Sequence, residues 1–307
     1  MKILVTGGAG FIASHIVDAY IEAGHSVHII DDFSTGQERN LNPRADVHRL
    51  DIADPKAANL IREIKPDVMS HHAAQMDVRR SVTDPAFDAR VNIIGFINLL
   101  EACKDVGVKK VIFSSSGGAV YGDCEPIPAD EEHVTLPLSP YGVSKLTGEL
   151  YLGYYQMAFG LPYVALRYAN VYGPRQSAQG EAGVVAIFIA ALLAGRIPTI
   201  NGAGKQTRDY VFVGDVVRAN VAALETSHVG PVNIGTEMET DVVTLYRLLK
   251  QGLSSGIDAR HGPAKLGEQT RSCLDAALAG KVLNWKPAVS IAAGLQKTIA
   301  YYRETGV

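Results

Sequence analysis

An alternation constrains this chain more than any single residue does. Short runs rich in β-branched and apolar residues are followed by longer stretches with helical spacing, and the pattern repeats up to about residue 170. The candidate strands are Lys2–Thr6, Ser26–Asp31, Val47–Leu50, Asp67–His71, Lys110–Ser115 and Tyr163–Arg167. Each reads as apolar throughout rather than alternating, as a strand covered on both faces requires. The candidate helices are Phe11–Glu22, Pro55–Ile64, Pro85–Val106 and Pro140–Phe159. Such a βαβ series predicts an α/β fold built on a doubly wound parallel sheet with right-handed crossovers. Beyond Gly173-Pro174 the rhythm loosens into a buried helix near Val184–Ala194, a helix after the Asp215 turn and a last one near Ser290–Arg303. A smaller C-terminal α/β lobe is the expectation, with 1–170 as a first domain and 171–307 as a second, the chain free to cross between them. Their cleft is the expected ligand site.

The 307 residues suffice for two such units, and composition removes several function classes. Lys and Arg number 29 against 32 Asp and Glu, a net charge of −3, so no basic field attracts nucleic acid or a membrane surface. The apolar run Val184 to Ala194 falls short of the ~18 residues a membrane span needs. The start, Met1 to Val5, breaks at Gly7-Gly8 before a secretory segment of ~7–15 apolar residues could form. Cysteines 103, 124 and 273 lie far apart with no CxxC, which argues against both a disulfide framework and a zinc site. A cytoplasmic protein without a structural metal is expected.

Thr6-Gly7-Gly8-Ala9-Gly10-Phe11-Ile12-Ala13 follows the first strand and opens the first helix. Gly7 can turn sharply, and Gly10 lets the backbone approach a pyrophosphate on the helix N-terminus, where free N–H groups and the dipole favour an anion. This is a Rossmann-type dinucleotide signature, with Ala13 small enough for close helix–strand packing. Asp31 ends the second strand 21 residues after Gly10, where a carboxylate accepts ribose hydroxyls and repels a 2′-phosphate. NAD is favoured over NADP. Asp51-Ile52 and His72-Ala73-Ala74-Gln75 follow two further strand ends, where open α/β sheets bind ligands. His71 and His72 read as strand-end histidines satisfied by hydrogen bonds. Tyr141-Gly142-Val143-Ser144-Lys145 opens a helix 25 residues after Ser116. Positions i and i+4 share a face, so the Lys145 ammonium can sit beside the Tyr141 phenol. Lowering a phenol pKa by ~3 units takes about 4 kcal/mol, which the lysine and a positive nicotinamide ring are expected to supply. Ser116 can donate to or relay a proton from a substrate hydroxyl.

With these motifs in order, the chain resembles the extended short-chain dehydrogenase/reductase family, and within it the UDP-glucose 4-epimerase branch. The likeness runs through TGGAGFIAS, DDFSTG at 31–36, HHAAQ at 71–75, SSSGGAVYG at 114–122, YGVSK, LRYANVYGPRQ at 166–176 and RDYVFVGD at 208–215. It implies that Ser116, Tyr141 and Lys145 are catalytic. It surrounds NAD with Gly7, Gly10, Phe11, Ile12, Asp31, Asp32, Ser34, Gly36, Asp51, Ile52, His72, Ala73, Ala74 and Gln75, together with Tyr141, Lys145 and Ala169. It assigns the UDP-sugar to Ser116, Tyr141, Asn170, Val184, Arg208, Lys265, Glu268 and Ser272. Three positions depart from the family pattern: Ala13 for a glycine, Ala169 for a common Phe, and Lys265 for an arginine, which exchanges a bidentate fork for a point charge. Ser272 is small where some relatives carry Tyr. The family also implies a homodimer through the helices near Pro85–Val106 and Pro140–Phe159.

Relatives that dehydrate or decarboxylate nucleotide sugars carry an acid directly after the residue equivalent to Ser116. Here that place is Gly117-Gly118. What the resemblance leaves is NAD-dependent epimerisation at C4 of a UDP-hexose through a 4-keto intermediate, of UDP-glucose and UDP-galactose, with their N-acetyl counterparts as further candidate substrates. The alternatives are another extended short-chain dehydrogenase acting on a nucleotide sugar, or a non-catalytic NAD-sensing protein on the same fold.

Overall fold

A computed structural model describes residues 1–123, 125–178, 183–264 and 269–306. The chain opens with β1 (Lys2–Thr6), α1 (Phe11–Glu22), β2 (Ser26–Asp31), β3 (Asp46–Arg49), α2 (Pro55–Ile64) and β4 (Val68–His71). Then come α3 (Val78–Thr83), α4 (Pro85–Ala89), α5 (Gly95–Val106), β5 (Lys110–Ser116), α6 (Gly117–Val120), α7 (Pro140–Phe159) and β6 (Tyr163–Tyr168). The later part holds β7 (Asn170–Tyr172), α8 (Val184–Leu193), β8 (Thr199–Asn201), β9 (Thr207–Phe212), α9 (Val213–Glu225) and β10 (Gly230–Ile234). It closes with β11 (Glu239–Asp241), α10 (Val242–Gly252), β12 (Arg260–Gly262), α11 (Ala277–Leu283) and α12 (Ile291–Thr305).

Seven strands form one sheet in the order β10-β6-β5-β4-β1-β2-β3, every pair parallel. Strand order reverses between β1 and β4, which opens a crevice at their C-terminal ends. One face of the sheet is covered by α1 and α9 through Ile16, Tyr20, Val216 and Ala219. The other is covered by α2, α5 and α7 through Ile61, Phe96, Leu99 and Leu152. Local signals set the helix ends: Asp54 caps α2 ahead of Pro55, Ser139 caps α7 ahead of Pro140, and Gly160 stops α7 in the left-handed conformation.

Two expectations are corrected here. The third strand is not an apolar strand covered on both faces: Asp46–Arg49 reads Asp-Val-His-Arg, is largely exposed, and pairs only with β2 at the sheet edge. An edge strand with charges resists pairing with other chains. The helix expected over Pro85–Val106 is interrupted by a π-helical turn, Arg90–Ile94, between α4 and α5. The wider turn carries the buried Asn92, whose Nδ2 donates to the Gln75 carbonyl at 2.8 Å. After β9 the chain returns to the first body: α9 packs on α1, and β10 extends the large sheet beside β6. The second lobe keeps β7, β9 and β11 as one small sheet and β8 and β12 as another, over a core that includes Phe188, Ile189, Leu245 and Ile299.

A buried ion pair ties the large sheet to α7. Arg167 on β6 meets Glu149 on α7, with Nε donating to Oε1 at 3.0 Å and Nη2 to Oε2 at 2.6 Å. Ser115 Oγ donates to the same carboxylate, and Arg167 Nη1 donates to Tyr121 Oη at 2.7 Å, which in turn donates to Asn233 on β10. Glu149→Gln is expected to cost about 3–5 kcal/mol in chemical denaturation, because it leaves a buried guanidinium unpaired. A loss below ~1 kcal/mol, the level of an exposed pair, would refute this account.

Candidate active site

The turn after β1 lies at the crevice. Gly7 has φ +71 and its N–H donates to the Ile30 carbonyl at 2.8 Å. A methyl group on it would stand 2.7 Å from Ala73 N, so glycine alone lets this turn touch the loop after β4. Gly10 is the N-cap of α1 and no side chain caps that helix, which leaves its first N–H groups available at Phe11 and Ile12. Methyl groups at Gly10 and Gly36 would meet Gly7 O at 3.0 Å and Asp31 Oδ1 at 2.7 Å. Asp31 ends β2 and accepts from Ala9 N at 2.9 Å and Phe33 N at 2.8 Å. Burial raises its carboxyl above the ordinary range while those bonds oppose the rise. Asp32 accepts from both the N–H and the hydroxyl of Ser34, and Asp51 accepts from Ala53 N at 2.8 Å beside the buried Ile52. A side-chain-free floor, unpaired helix N–H groups and an acidic strand end suit a dinucleotide's pyrophosphate and ribose.

On the other side of the crevice, Thr6 Oγ1 accepts from His72 N and Ala73 N at 3.1 Å each and pairs with His71 Nδ1 at 2.8 Å. His71 stacks on Phe96 and Phe113, and His72 Nε2 pairs with Ser70 Oγ at 3.0 Å. Burial and the nearby Lys145 charge push the His72 imidazole down to about 3, so it is neutral. Gln75 is occupied by the framework: its Nε2 donates to Asp77 O and to Asp88 Oδ1, both at 2.9 Å. Ala74 precedes it in the same loop.

Tyr141 sits in the first turn of α7, and Lys145 follows one turn later. Lys145 Nζ donates to the Ser114 carbonyl at 2.7 Å and lies 5.8 Å from the centroid of the Tyr141 ring. Ser116, at the end of β5, lines the same cavity as the phenol. The phenol itself departs from expectation. Burial, reinforced by the charge of Asp88, holds Tyr141 above the ordinary tyrosine value, and the nearby Ser116 hydroxyl only partly opposes this. Burial also lowers Lys145 to about 8, against the pull of Asp88 and Glu149. The lysine alone therefore does not ionise the phenol; further positive charge is required.

A cavity of about 160 Å³ joins these groups, lined by Ser116, Tyr141, Ala169, Asn170 and Arg208 among others. That is less than the ~300–1,000 Å³ of a drug-sized site, so it suits the reacting end of a longer ligand. A larger groove of about 450 Å³ between α10 and α12 contains no ionisable side chain. Val78, Gly118, Ala119 and Gln269 also line the smaller cavity and were not expected from the sequence. Gln269 was within reach as a neighbour of Lys265 and Glu268; Val78 carried no signal. Ser272 is buried at the rim: a methyl group on Gly118 would stand 3.6 Å from Asn170 Oδ1 and 3.9 Å from Ser272 Oγ. Val184 opens α8 in the second lobe and does not line the cavity. Lys265 and Glu268 lie outside the described residues. Among the described residues no group of three or more His, Cys, Asp or Glu side chains could hold a metal ion, and no helix is long and apolar enough to cross a membrane.

Known proteins share this arrangement along the whole chain. The structure of a UDP-glucose 4-epimerase from Thermotoga maritima, with UDP-glucose, superposes with a TM-score of 0.98 at 45% identity over 99% of both chains. A UDP-glucose 4-epimerase of Mycolicibacterium smegmatis is 44% identical over 99% of each sequence. A UDP-N-acetylglucosamine 4-epimerase from Methanobrevibacter ruminantium, in complex with UDP-N-acetylmuramic acid, superposes with a TM-score of 0.94 at 35% identity, covering 99% of this chain and 98% of that one. The NAD dependent epimerase/dehydratase family matches residues 3–235. By sequence, by fold and by the composition of its crevice, this chain belongs to the NAD dependent epimerase/dehydratase family.

Proposed function

We propose that the chain interconverts UDP-glucose and UDP-galactose by NAD-dependent epimerisation at C4 of the hexose, and the N-acetyl pair as well. The observation that carries this reading is the crowding at Gly117. A side chain there would begin 2.5 Å from the Cδ1 methyl of the buried Leu274, so an acid directly after Ser116, as dehydration or decarboxylation uses, would have to displace that side chain. The remaining groups serve oxidation and reduction at one carbon. Tyr141, as phenolate, takes the proton of the C4 hydroxyl and later returns it, with Ser116 hydrogen-bonded between phenol and substrate oxygen. Bound NAD supplies the acceptor and donor for the hydrogen that leaves C4 with its electron pair, and its positive ring adds the charge that Tyr141 needs beyond Lys145. Lys145, anchored on the Ser114 carbonyl, fixes the cationic side of the pair. Small residues at Gly118, Ala169 and Ser272 leave the 4-keto sugar room to turn and present its other face.

In this reading residues 1–170 hold the dinucleotide and 171–307 the sugar nucleotide. Gly7, Gly10, Phe11 and Ile12 receive the pyrophosphate; Asp31, Asp32, Ser34 and Gly36 the adenosine ribose; Asp51, Ile52, Ala169 and residues 72–75 flank the rings. Asn170, Arg208, Val184 and Ser272 take the substrate, with Lys265 and Glu268. The free, buried thiols of Cys103 and Cys273 suit a reducing, cytoplasmic setting. A second copy is the proposed partner. On α7 Val143, Leu150, Tyr154 and Met157 form an exposed apolar stripe, and Ile94 at the end of the π-helical turn is exposed as well.

Tyr141→Phe is expected to keep NAD binding while lowering turnover of UDP-galactose to UDP-glucose at least ~10²-fold, the scale of a lost general base. More than half the wild-type rate in this variant would exclude the mechanism. Ser272→Tyr should remove activity on the N-acetyl pair selectively, since overlap penalises the bulkier ligand; equal loss on both pairs, or no wild-type activity on the N-acetyl pair, would end that part of the proposal. Sedimentation at micromolar concentration is expected to give twice the 32.8 kDa chain mass, and a single 32.8 kDa species would rule out the dimer.

A further inference from the structure

Asp88, on α4, is a fully buried carboxylate that takes no part in the proposed reaction. Its partners are all neutral. Oδ2 accepts from Ser144 Oγ at 2.6 Å, and Oδ1 accepts from Gln75 Nε2 at 2.9 Å and Asn92 Nδ2 at 3.1 Å. Three donors, from α7, the loop after β4 and the π-helical turn, thus hold a charge that, among the described residues, no arginine or lysine touches directly. Burying a carboxylate in this way is costly unless a cation stands near.

The buried charges around α7 identify that cation. Four charged side chains are buried here: Asp88, Lys145, Glu149 and Arg167. Arg167 and Glu149 neutralise one another through their paired hydrogen bonds. That leaves Asp88 and Lys145 as the unmatched anion and cation. The other groups packed against this part of α7 do not change the balance. His71 at the end of β4 and His72 just after it are held neutral by burial. On α3, Arg79 faces Asp77 and Arg80 lies over the Phe87 ring at 3.8 Å, while Arg90 of the π-helical turn lies over the same ring at 5.4 Å and faces Asp51 at 3.9 Å. Glu101 and Lys104 on α5 pair with each other at 2.6 Å. Ser144 lies between Tyr141 and Lys145 in sequence, so the Asp88 bond attaches to the same turn that presents both.

We propose that Asp88 is a positioning residue of the Tyr141–Lys145 site, whose buried negative charge keeps the Lys145 side chain an ammonium while its bond to Ser144 seats the first turn of α7. This rests on the proposed catalytic reading for its use, but not for its physics. The Asp88 charge favours the Lys145 ammonium, against the burial that disfavours it.

The test reads the protonation of Lys145 without substrate. Trace acetic anhydride labelling of the purified full chain across pH, with peptide-resolved mass spectrometry, gives the midpoint at which Lys145 becomes reactive. Removing the anion removes support for the ammonium, so Asp88→Asn is expected to lower that midpoint by about one pH unit from the wild-type value near 8. Ser144→Ala, which keeps the charge and removes one bond, is expected to leave the midpoint within ~0.3 unit. An unshifted midpoint in folded Asp88→Asn overturns the proposal. If Asp88→Asn does not fold, Ser144→Ala decides: an unchanged midpoint supports the charge, and a fall comparable to one unit shows that packing sets it and overturns the proposal. A wild type that turned over no UDP-hexose would overturn the functional reading and leave this measurement intact.

Discussion

The buried pair of Glu149 and Arg167 is the constraint on which the rest of the site depends. It joins α7 to β6, reaches β5 through Ser115 and extends through Tyr121 to Asn233 on β10. Two ions taken out of water repay their desolvation only when geometry is good and the remaining lone pairs are satisfied. Here the carboxylate has a forked guanidinium and a hydroxyl, and the guanidinium has a phenol as well. The pair therefore ties three strands and one helix into a single arrangement, and Lys145 stands one turn before Glu149 on that helix.

From this fixed helix the chemistry follows by geometry. Ser139 and Pro140 begin α7 at the crevice, so Tyr141 enters the cavity in the first turn, beside Ser116 from the neighbouring strand end. The glycine turn after β1 faces the loop after β4 at the point where strand order reverses, with Gly7 against Ala73. Second-lobe residues close the far side: Asn170 and Arg208 come from β7 and β9, which pair in parallel. Ser272 is held by its own carbonyl, which accepts from Asp209 N at 2.9 Å. That carbonyl bond draws the Ser272 segment back to β9, beside Arg208.

Much of this was legible in the chain, and the reasons are local. β1, β2 and α1, α2, α7 occupy the spans their apolar runs and caps predict, because Asp54, Ser139, Pro55, Pro140 and Gly160 act within one turn of themselves. β3 was misread because one valine between charges still has the length and position of a strand, while edge or centre is decided by what lies beside it. The π-helical turn at Arg90–Ile94 left no mark in the spacing. Asp88 carries no signal in the sequence, since nothing in a single sequence says that Gln75, Asn92 and Ser144 converge on it.

What the sequence by itself determined was the family, the parallel sheet and the residue types of the crevice: glycines where a backbone must approach a phosphate, an acid at the end of β2, and a tyrosine and lysine one turn apart. These depend on interactions between residues close in the chain or on motifs whose chemistry demands particular side chains. Tertiary structure alone decided that β10 and α9 rejoin the first body, that Gln75 is engaged by the framework, and that Tyr141 is held as a phenol. Ionisation of a buried group depends on every charge and dipole around it, and those neighbours come from α4, β4 and β5, brought together only when the chain has folded.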